Sequence, residues 1–488
     1  MKEKKEKPAR VKRLPTTFEA ISLLIVMLIV FSGGTVFSMN YVPLMMIVAA
    51  YAMFICWRCG YSYKEMEKAI SNKIGKSVPV LSIFLCVGLL VGALMYCGTI
   101  PMLIYYGTQM ISAKWLYLCA FLLCAIFSLL TGTCVGSVST AGLAMMSIGM
   151  AMPDANLGLL AGAIISGATI GDKVSPLSDT TIMSAAVTDN DVYDHIKHQS
   201  KVVLPAAGIT LLVYVAIGLF THTNASSTSE VSMNLLASLD SIYKWNVLLL
   251  LPVVFVVWGI LSKKSTVVTL VGASFIGLII GIAYQGFDPA DGVKALYQGF
   301  ACKMAVAGNP NLDIATLSTE TVTLIERGGL TSMTKTFLAI FICYHFAASA
   351  ELCGALKVLL NLMSKFIKNT FTLVLSTGVS MIIMEALCGS STPAAALAGP
   401  LFKGKYEEMG LHSLNLAREI EDFGTGSTAF IPWSSTGLTY VGILGLTNMI
   451  YLKYTFFCWL VWIIALVYAA TGIGIRKLKD EKVTATNV

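Results

Sequence analysis

The chain is a succession of long apolar runs separated by short polar breaks. Runs over 17–39, 41–57, 79–112, 115–131, 202–221, 246–261, 265–285, 336–363, 370–388 and 453–475 have the length of bilayer spans, for which an α-helix needs about 20 apolar residues. Other runs are short or interrupted: 132–150, 156–170, 177–188, 391–402 and 429–450. These predict half-helices or re-entrant hairpins, since irregular backbone at membrane depth survives only against protein or a polar cavity. The first run lacks a small-residue cleavage signature and predicts a retained helix. The pattern as a whole predicts an all-α polytopic membrane protein with roughly 10–13 membrane segments.

Composition agrees. Of 488 residues 56% are hydrophobic and 12% charged, with mean hydropathy +0.76; a soluble domain carries about 25% charged residues. The net charge of +7 implies no nucleic-acid partner, because the basic residues gather in a few flanks. Lys2, Lys4, Lys5, Lys7, Arg10, Lys12 and Arg13 precede the first run, Arg58, Lys64, Lys68, Lys73 and Lys76 fill 58–76, and Arg476, Lys477, Lys479 and Lys482 end the chain. Segment 222–243 has no Lys or Arg. The positive-inside rule then predicts both termini in the cytosol and 222–243 outside. The twelve cysteines lie mostly in apolar runs and read as small buried hydrophobes. Cys56-Trp57-Arg58-Cys59 has no second Cys or His pair near it in sequence.

The chain repeats itself at an offset of 253. Gly136-Ser137 falls on Gly389-Ser390 and Gly171 on Gly424. Run 79–112 falls on 332–365, 115–131 on 368–384 and 202–221 on 455–474. The first copy follows a basic flank and ends at the Lys/Arg-free segment. The second follows 286–334, with Asp288, Asp291, Asp313, Glu320 and Glu326, and ends at the basic tail. The two copies are thus expected to be inverted, and inverted repeats with broken helices mark secondary transporters. The expected division is a tail at 1–16, leading helices and a cytosolic loop at 17–78, repeat one at 79–221, a linking section at 222–331, repeat two at 332–475 and a tail at 476–488.

Two breaks carry carboxylates where lipid is expected. Burying a charge there costs roughly 3 kcal/mol or more, so such a group is a functional candidate by default. In Gly171-Asp172-Lys173-Val174-Ser175-Pro176-Leu177-Ser178-Asp179-Thr180-Thr181, Pro176 divides Asp172 from Asp179. Ser175, Ser178 and Thr180 add hydroxyls, and hard cations favour such oxygen sets. The bland alternative pairs Asp172 with Lys173 and makes Asp179 a helix cap. In the second break Asp422 leads into Gly424-Thr425 and then Pro432-Trp433-Ser434. Glu419 and Glu421 read as capping or solvated residues, because Lys403, Lys405 and Arg418 precede them. Ser137 and Thr140 in one uncharged break, and Ser390 and Thr392 in another, offer hydroxyls and helix ends, or simply close packing. Asp172, Asp179 and Asp422 are the expected Na+ ligands. Glu351 and Glu385 are each a proton site or a structural acid. Asp189, Asp191, Asp194, His195 and His198 read as a solvated loop.

These residues resemble the NhaC-type Na+/H+ antiporter family of the wider ion-transporter superfamily. The resemblance is carried by Gly171-Asp172-Lys173 through Thr181, by His195-Ile196-Lys197-His198, by Arg327-Gly328-Gly329-Leu330, by Gly410-Leu411-His412 with Asn415-Leu416-Ala417-Arg418, and by Glu421-Asp422, Gly424-Thr425 and Ile431-Pro432-Trp433. It covers about a quarter of the chain, in order. It implies a sodium–proton exchanger of a prokaryotic inner membrane, with the two breaks forming one site. The chain departs from the family pattern at Ser434, at Cys134-Val135 and at Ile182. The expected function is exchange of Na+ for H+ by alternating access, without a cofactor; the ions are cargo. The alternative is a Na+- or H+-coupled carrier of a small organic acid or amino acid, though all six arginines lie outside apolar cores and leave a substrate carboxylate without a bidentate partner. Expected partners are membrane lipid and the two ions, with an organic solute and a homodimer as open options. An intramembrane metalloprotease would need His-Glu-x-x-His, which is absent, and a channel would need a continuous pore.

Overall fold

The computed structural model describes residues 11–478 except 37, 38, 40, 113, 153, 154, 221–229, 263, 311 and 318. The basic residues expected at 1–10 and 479–488 lie outside that set. Helices α1 (Thr17–Val36) and α2 (Tyr41–Arg58) precede α3 (Tyr63–Cys97), which bends by 70° into α4 (Thr99–Met110). Then α5 (Leu116–Thr131) ends at Gly132, and the chain turns back through α6 (Cys134–Ser137), a π turn and α7 (Leu143–Met150). The broken pair α8 (Leu157–Val174) and α9 (Asp179–Ala186) and the long α10 (Val192–Phe220) close this unit. A linking section holds α11 (Glu230–Ile242), α12 (Leu251–Leu261), α13 (Thr266–Ile280), α14 (Pro289–Gln298) and α15 (Thr319–Ile325). The order then repeats. First come α16 (Thr334–Leu352) and α17 (Ala355–Ser364), then the turn-back pair α18 (Thr370–Cys388) and α19 (Ser391–Glu408). The broken pair α20 (Ser413–Ser427) and α21 (Ser435–Ile443) is followed by α22 (Phe456–Thr471).

Among the described residues five helices are long and apolar enough to cross a bilayer, and two bent pairs pass that test jointly. No strand forms among them beyond an isolated bridge between Leu411 and Lys477. This is an all-α polytopic membrane protein.

Glycine sets the matching breaks. Gly98 and Gly354 (φ +89° and +79°) separate α3 from α4 and α16 from α17. Gly132 and Gly389 (φ +68° and +73°) cap α5 and α18. All four sit in the left-handed region where a Cβ is penalised. Three expectations are corrected. The basic segment 58–76 is not a loop beyond Ser62. A capping box, with Glu65 N on Ser62 Oγ at 3.4 Å and Ser62 N on Glu65 Oε2 at 2.8 Å, starts α3 at Tyr63. The linking stretches 222–243 and 286–334 contain α11, α14 and α15. Runs 79–112 and 336–363 each break at a glycine. Hydropathy registers apolar length but neither polar helix ends nor single-residue kinks.

The relative direction of the two units is read along α22. At its start, Tyr454 Oη accepts from Asn156 Nδ2 (3.3 Å), at the head of α8. Beyond its end, Arg476 N donates to Asn415 Oδ1 (2.9 Å), at the head of α20. Between them Trp462 Nε1 donates to Asp422 O (3.0 Å). So α8 and α20 enter from opposite ends and their tails meet midway. Likewise Tyr468 Oη reaches Lys201 O (3.2 Å) and Tyr214 Oη reaches Tyr454 O (2.9 Å), which makes α10 and α22 antiparallel. Buried apolar side chains form two cores: one holds α3 to α8, α10 and the linking section, the other α1, α2 and α16 to α20, and α3, α21 and α22 contribute to both. Trp462 packs against both.

Within the first core α5 and α8 touch backbone to backbone. A Cβ on Gly171 would lie 2.1 Å from Ser128 C, and one on Gly167 2.2 Å from Phe121 O. Ser128 Oγ also donates to Ala168 O. Gly171→Ala should therefore lower stability by about 3 kcal/mol or more, since backbone must move. Gly208, with nothing within 4 Å of its Cβ position, is the control: Gly208→Ala should be neutral or stabilise by up to about 1 kcal/mol. Thermal unfolding of both variants in detergent checks this; equal behaviour would contradict the packing described.

Candidate functional site

The break after α8 frees backbone carbonyls and brings hydroxyls to them. Thr181 Oγ1 donates to Asp172 O at 2.9 Å. Ser178 caps α9 and donates to Asp172 Oδ1 at 2.8 Å. Thr180 Oγ1 lies 3.4 Å from Asp172 Oδ1 and 3.1 Å from Glu421 Oε1. One hydroxyl thus stands between carboxylates from opposite units. Glu421 is held further by Thr425 Oγ1 on Oε1 (2.6 Å) and Ser184 Oγ on Oε2 (2.7 Å). Asp172 and Glu421 are 6% and 1% exposed. At about 6 Å and an effective dielectric near 20, two carboxylates repel by ~3 kcal/mol.

Lys173 does not pair with Asp172. It is fully buried and crosses to the other unit, with Nζ 2.5 Å from Glu421 O, 3.4 Å from Asp422 O and 3.9 Å from Asp422 Oδ1. Gln199 Nε2 of α10 donates to Asp422 Oδ1 at 2.5 Å. Asp422 Oδ2 is buried without a hydrogen-bond partner.

Further expectations are corrected here. Arg418 and Glu419 are fully buried, not solvated. Arg418 Nη2 and Nε hold Glu419 Oε1 at 2.8 and 3.1 Å, and Nη1 donates to Gly474 O at 2.8 Å. The tight α10–α20–α22 packing forces this pairing, because a lone buried charge is strongly destabilising. One arginine therefore does lie inside the protein. His195 and His198 occupy the first turns of α10 and are buried. Glu385 is buried and accepts from Ser427 Oγ, whereas Glu351 is exposed and pairs with Lys73 at 2.6 Å. Asp189, Asp191 and Asp194 are exposed, as expected.

The remaining sequence candidates separate. Asp179 is exposed in the first turn of α9, because the break turns its side chain outward. Its charge still acts on Asp172. Ser175 donates to Leu129 O (3.3 Å), Ser137 to Cys124 O (2.7 Å) and Thr140 to Gly136 O (2.8 Å), so all three bond backbone. Trp433 donates to Ala386 O (2.7 Å) and stacks on Phe31 at 4.4 Å; Ser434 caps α21 and donates to Thr428 O (2.5 Å). Ser390 is the N-cap residue of α19 without a side-chain cap bond. Thr392 joins Thr180, Ser184, Ser391 and Thr425 around a cavity of ≈10 Å³, about the volume of one water-sized probe. Among the described residues no three His, Cys, Asp or Glu side chains converge as metal ligands, so a cation here would depend on the carboxylate pair and hydroxyls.

Sequence reading missed Lys173 as the bridge, Glu421 as the carboxylate that Thr180 joins to Asp172, and Gln199 and Ser184. Only Ser184 and Gln199 left a signal, four residues after Thr180 and His195 on the same helix faces. A larger cavity of ≈1180 Å³ is lined by Arg327, Lys294, Lys303, Glu326 and several methionines, with Leu438 and Val441 of α21 on its wall.

The sequence matches the Na+/H+ antiporter family over residues 7–219 and 167–473. An uncharacterized Na+/H+ antiporter of Haemophilus influenzae is 38% identical over 96% of this chain and 98% of its own. A malate-2H+/Na+-lactate antiporter of Bacillus subtilis is 31% identical over 97% and 98%. The Na+/H+ antiporter NhaC of Alkalihalophilus pseudofirmus is 29% identical over 96% and 98%.

Lys173→Met should leave Asp422 buried without its cation, at a cost of about 3–5 kcal/mol. Lys173→Met combined with Asp422→Asn should recover much of that loss, giving a coupling of about 2 kcal/mol. Unfolding of the two single variants and the double variant measures it; strict additivity would mean that the ion pair is not formed.

Proposed function

The chain belongs to the Na+/H+ antiporter family, and on that footing we propose that it exchanges Na+ for H+ by alternating access, with Asp172 and Glu421 as the shared cation and proton site. It is a multi-pass membrane transporter, not an enzyme. The observation that carries the reading is a charge imbalance. Among the described residues, apart from Glu19 near the N-terminus, the buried carboxylates are Asp172, Glu385, Glu419, Glu421 and Asp422, and the buried Lys and Arg side chains are Lys173 and Arg418. Arg418 answers Glu419 and Lys173 answers Asp422. Asp172, Glu421 and Glu385 are left without a countercharge, so protons or a bound cation must supply it. A site that holds either H+ or Na+, but not both at full strength, is what exchange requires.

The proposed ligands of Na+ are Asp172 and Glu421, with the hydroxyls of Ser178, Thr180 and Thr425. Asp422, fixed by Lys173, holds the negative potential of the site. Asp179 lies outside this set as a charge that acts from a distance. The basic flanks support a cytosolic placement of both termini in a prokaryotic inner membrane.

A second reading is favoured by the larger cavity. Its volume suits a small organic solute, and Arg327 on its wall could hold a carboxylate. Sodium-coupled exchange of an organic acid would use this space together with the carboxylate pair.

Purified protein in liposomes separates the two. Sodium alone should dissipate a preset proton gradient. Its apparent affinity should weaken about tenfold per pH unit below the titration of the shared site, one proton being displaced per Na+. Asp172→Asn and Glu421→Gln should each reduce this flux to background while membrane yield survives. A protein inert to Na+ until an organic acid is added would establish the second reading, and wild-type flux in Asp172→Asn would remove the assigned site.

The topology has its own test. On a background without native Cys, a cysteine placed at Ser241 should react with an impermeant thiol reagent only from outside, and one at Lys68 only from inside. Labelling of both from one face would refute the orientation.

A further inference from the structure

We propose that the small cavity between α9, α18, α19 and α20 is the seat in which the cation sheds its water, and that Met183 and Met381 set its bore and so the size of ion admitted. The inference rests on the Na+/H+ reading above and adds to it the residues that choose the ion. Thr180, Ser184, Ser391, Thr392 and Thr425 bring hydroxyls to the lining, and Met183 and Met381 stand on the same wall. The volume of ≈10 Å³ is about that of a single water-sized probe. A hydrated ion does not fit. An ion that enters leaves its shell behind, and the wall has to replace the lost water oxygens.

The hydroxyls are turned so that they can do this. A hydroxyl has one proton to give and two lone pairs. Ser184 Oγ gives its proton to Glu421 Oε2 (2.7 Å) and Thr425 Oγ1 to Glu421 Oε1 (2.6 Å), while Thr180 Oγ1 lies 3.1 Å from Glu421 Oε1. Their lone pairs remain for a positive ion, and oxygen is the ligand a hard cation prefers. The lining also grades from surface to interior. Thr392 is exposed, Thr180 and Ser391 are half-buried, and Ser184 and Thr425 are 2% and 7% exposed. The cavity therefore connects the surface beside the start of α19 with the residues that hold Glu421.

The methionines offer only a weak sulfur acceptor, so they act on the ion chiefly through the space they take. Met381 of α18 is fully buried in the second apolar core, and Met183 of α9 packs against the same core. A Cβ placed on Gly424 would lie 3.0 Å from Met381 Cε. The tip of that side chain thus rests on the turn of α20 that carries Glu421 and Thr425. Methionine alone is a pliable filler. Here the core behind both thioethers limits how far they yield. Na+ is smaller than K+, and a cavity of fixed bore favours the ion whose lost shell its oxygens can replace.

The test uses the full chain and two measurements. In liposomes, Na+ or K+ is offered alone against a preset proton gradient. In detergent, the shift of the unfolding temperature is followed with each ion, which needs no transport. Wild type should respond to Na+ at concentrations about tenfold or more below those needed for K+. Met183→Ala and Met381→Ala each widen the bore and should improve K+ relative to Na+ by about tenfold in both measurements. Met381→Leu, similar in volume, should keep the ratio near that of wild type. An unchanged ratio in both alanine variants, or a wild type that takes K+ as readily as Na+, overturns the filter. Loss of both ion responses in both alanine variants overturns it too, because the methionines then serve packing alone. A wild type inert to Na+ in both measurements overturns the exchange reading itself, and the filter with it.

Discussion

Lys173 is a fully buried charge whose polar partners all come from the other half. It leaves the last turn of α8 and ends on the carbonyls of Glu421 and Asp422 in α20. The two apolar cores are bridged by α3, α21 and α22, which contribute buried residues to both, and by Trp462. A buried ammonium held by carbonyls and one carboxylate is stable only while those partners stay in reach. It therefore ties the end of α8 to α20 and places a positive charge beside the neighbouring acids. Around it the buried carboxylates outnumber the buried cations, and the hydroxyls of Ser178, Thr180, Ser184 and Thr425 hydrogen-bond to Asp172 and Glu421.

Much of this was legible in the chain, and the reasons differ by level. Span positions follow from apolar length, which is a local property. The two breaks followed from Pro176 and from the Gly424–Ser434 stretch, where backbone preference overrides hydropathy. Inversion was an expectation from the charge flanks; along α22 the helices α8 and α20 run in opposite directions. What sequence could not give is which acids converge. Glu421 and Asp422 are adjacent in the chain and point to different neighbours, one to Thr180 and Ser184, the other to Gln199 and Lys173. Asp172 and Asp179 look like a pair by spacing, yet the break between them turns one inward and the other out. Arg418, Glu419, His195 and His198 read as loop because polar residues at a span's edge usually are solvated. Here α10, α20 and α22 close over them.

The close approach of α5 to α8 has a mechanical role in this arrangement. Glycines at 167 and 171 leave no side-chain layer between the two backbones. Such a contact has almost no slack, so α8 moves with α5 or not at all. Side-chain contacts replace this backbone packing at the α8–α9 and α20–α21 breaks and in the polar seam between the halves. Those are the places where backbone groups are held by hydroxyls that can exchange partners.

The offset of 253 also has an unequal side. It aligns the ends of α8 and α20, Val174 with Ser427, and so sets Thr425 opposite Asp172 and Gly426 opposite Lys173. The halves share a shape, but the acid and the lysine of one have no counterpart in the other. In a transporter whose inverted halves trade conformations, a perfectly symmetric molecule would have two end states of equal energy. Here the charges cannot trade places when the shapes do. Two states related by such an exchange would differ in energy, because the chain carries this charge asymmetry as a broken symmetry.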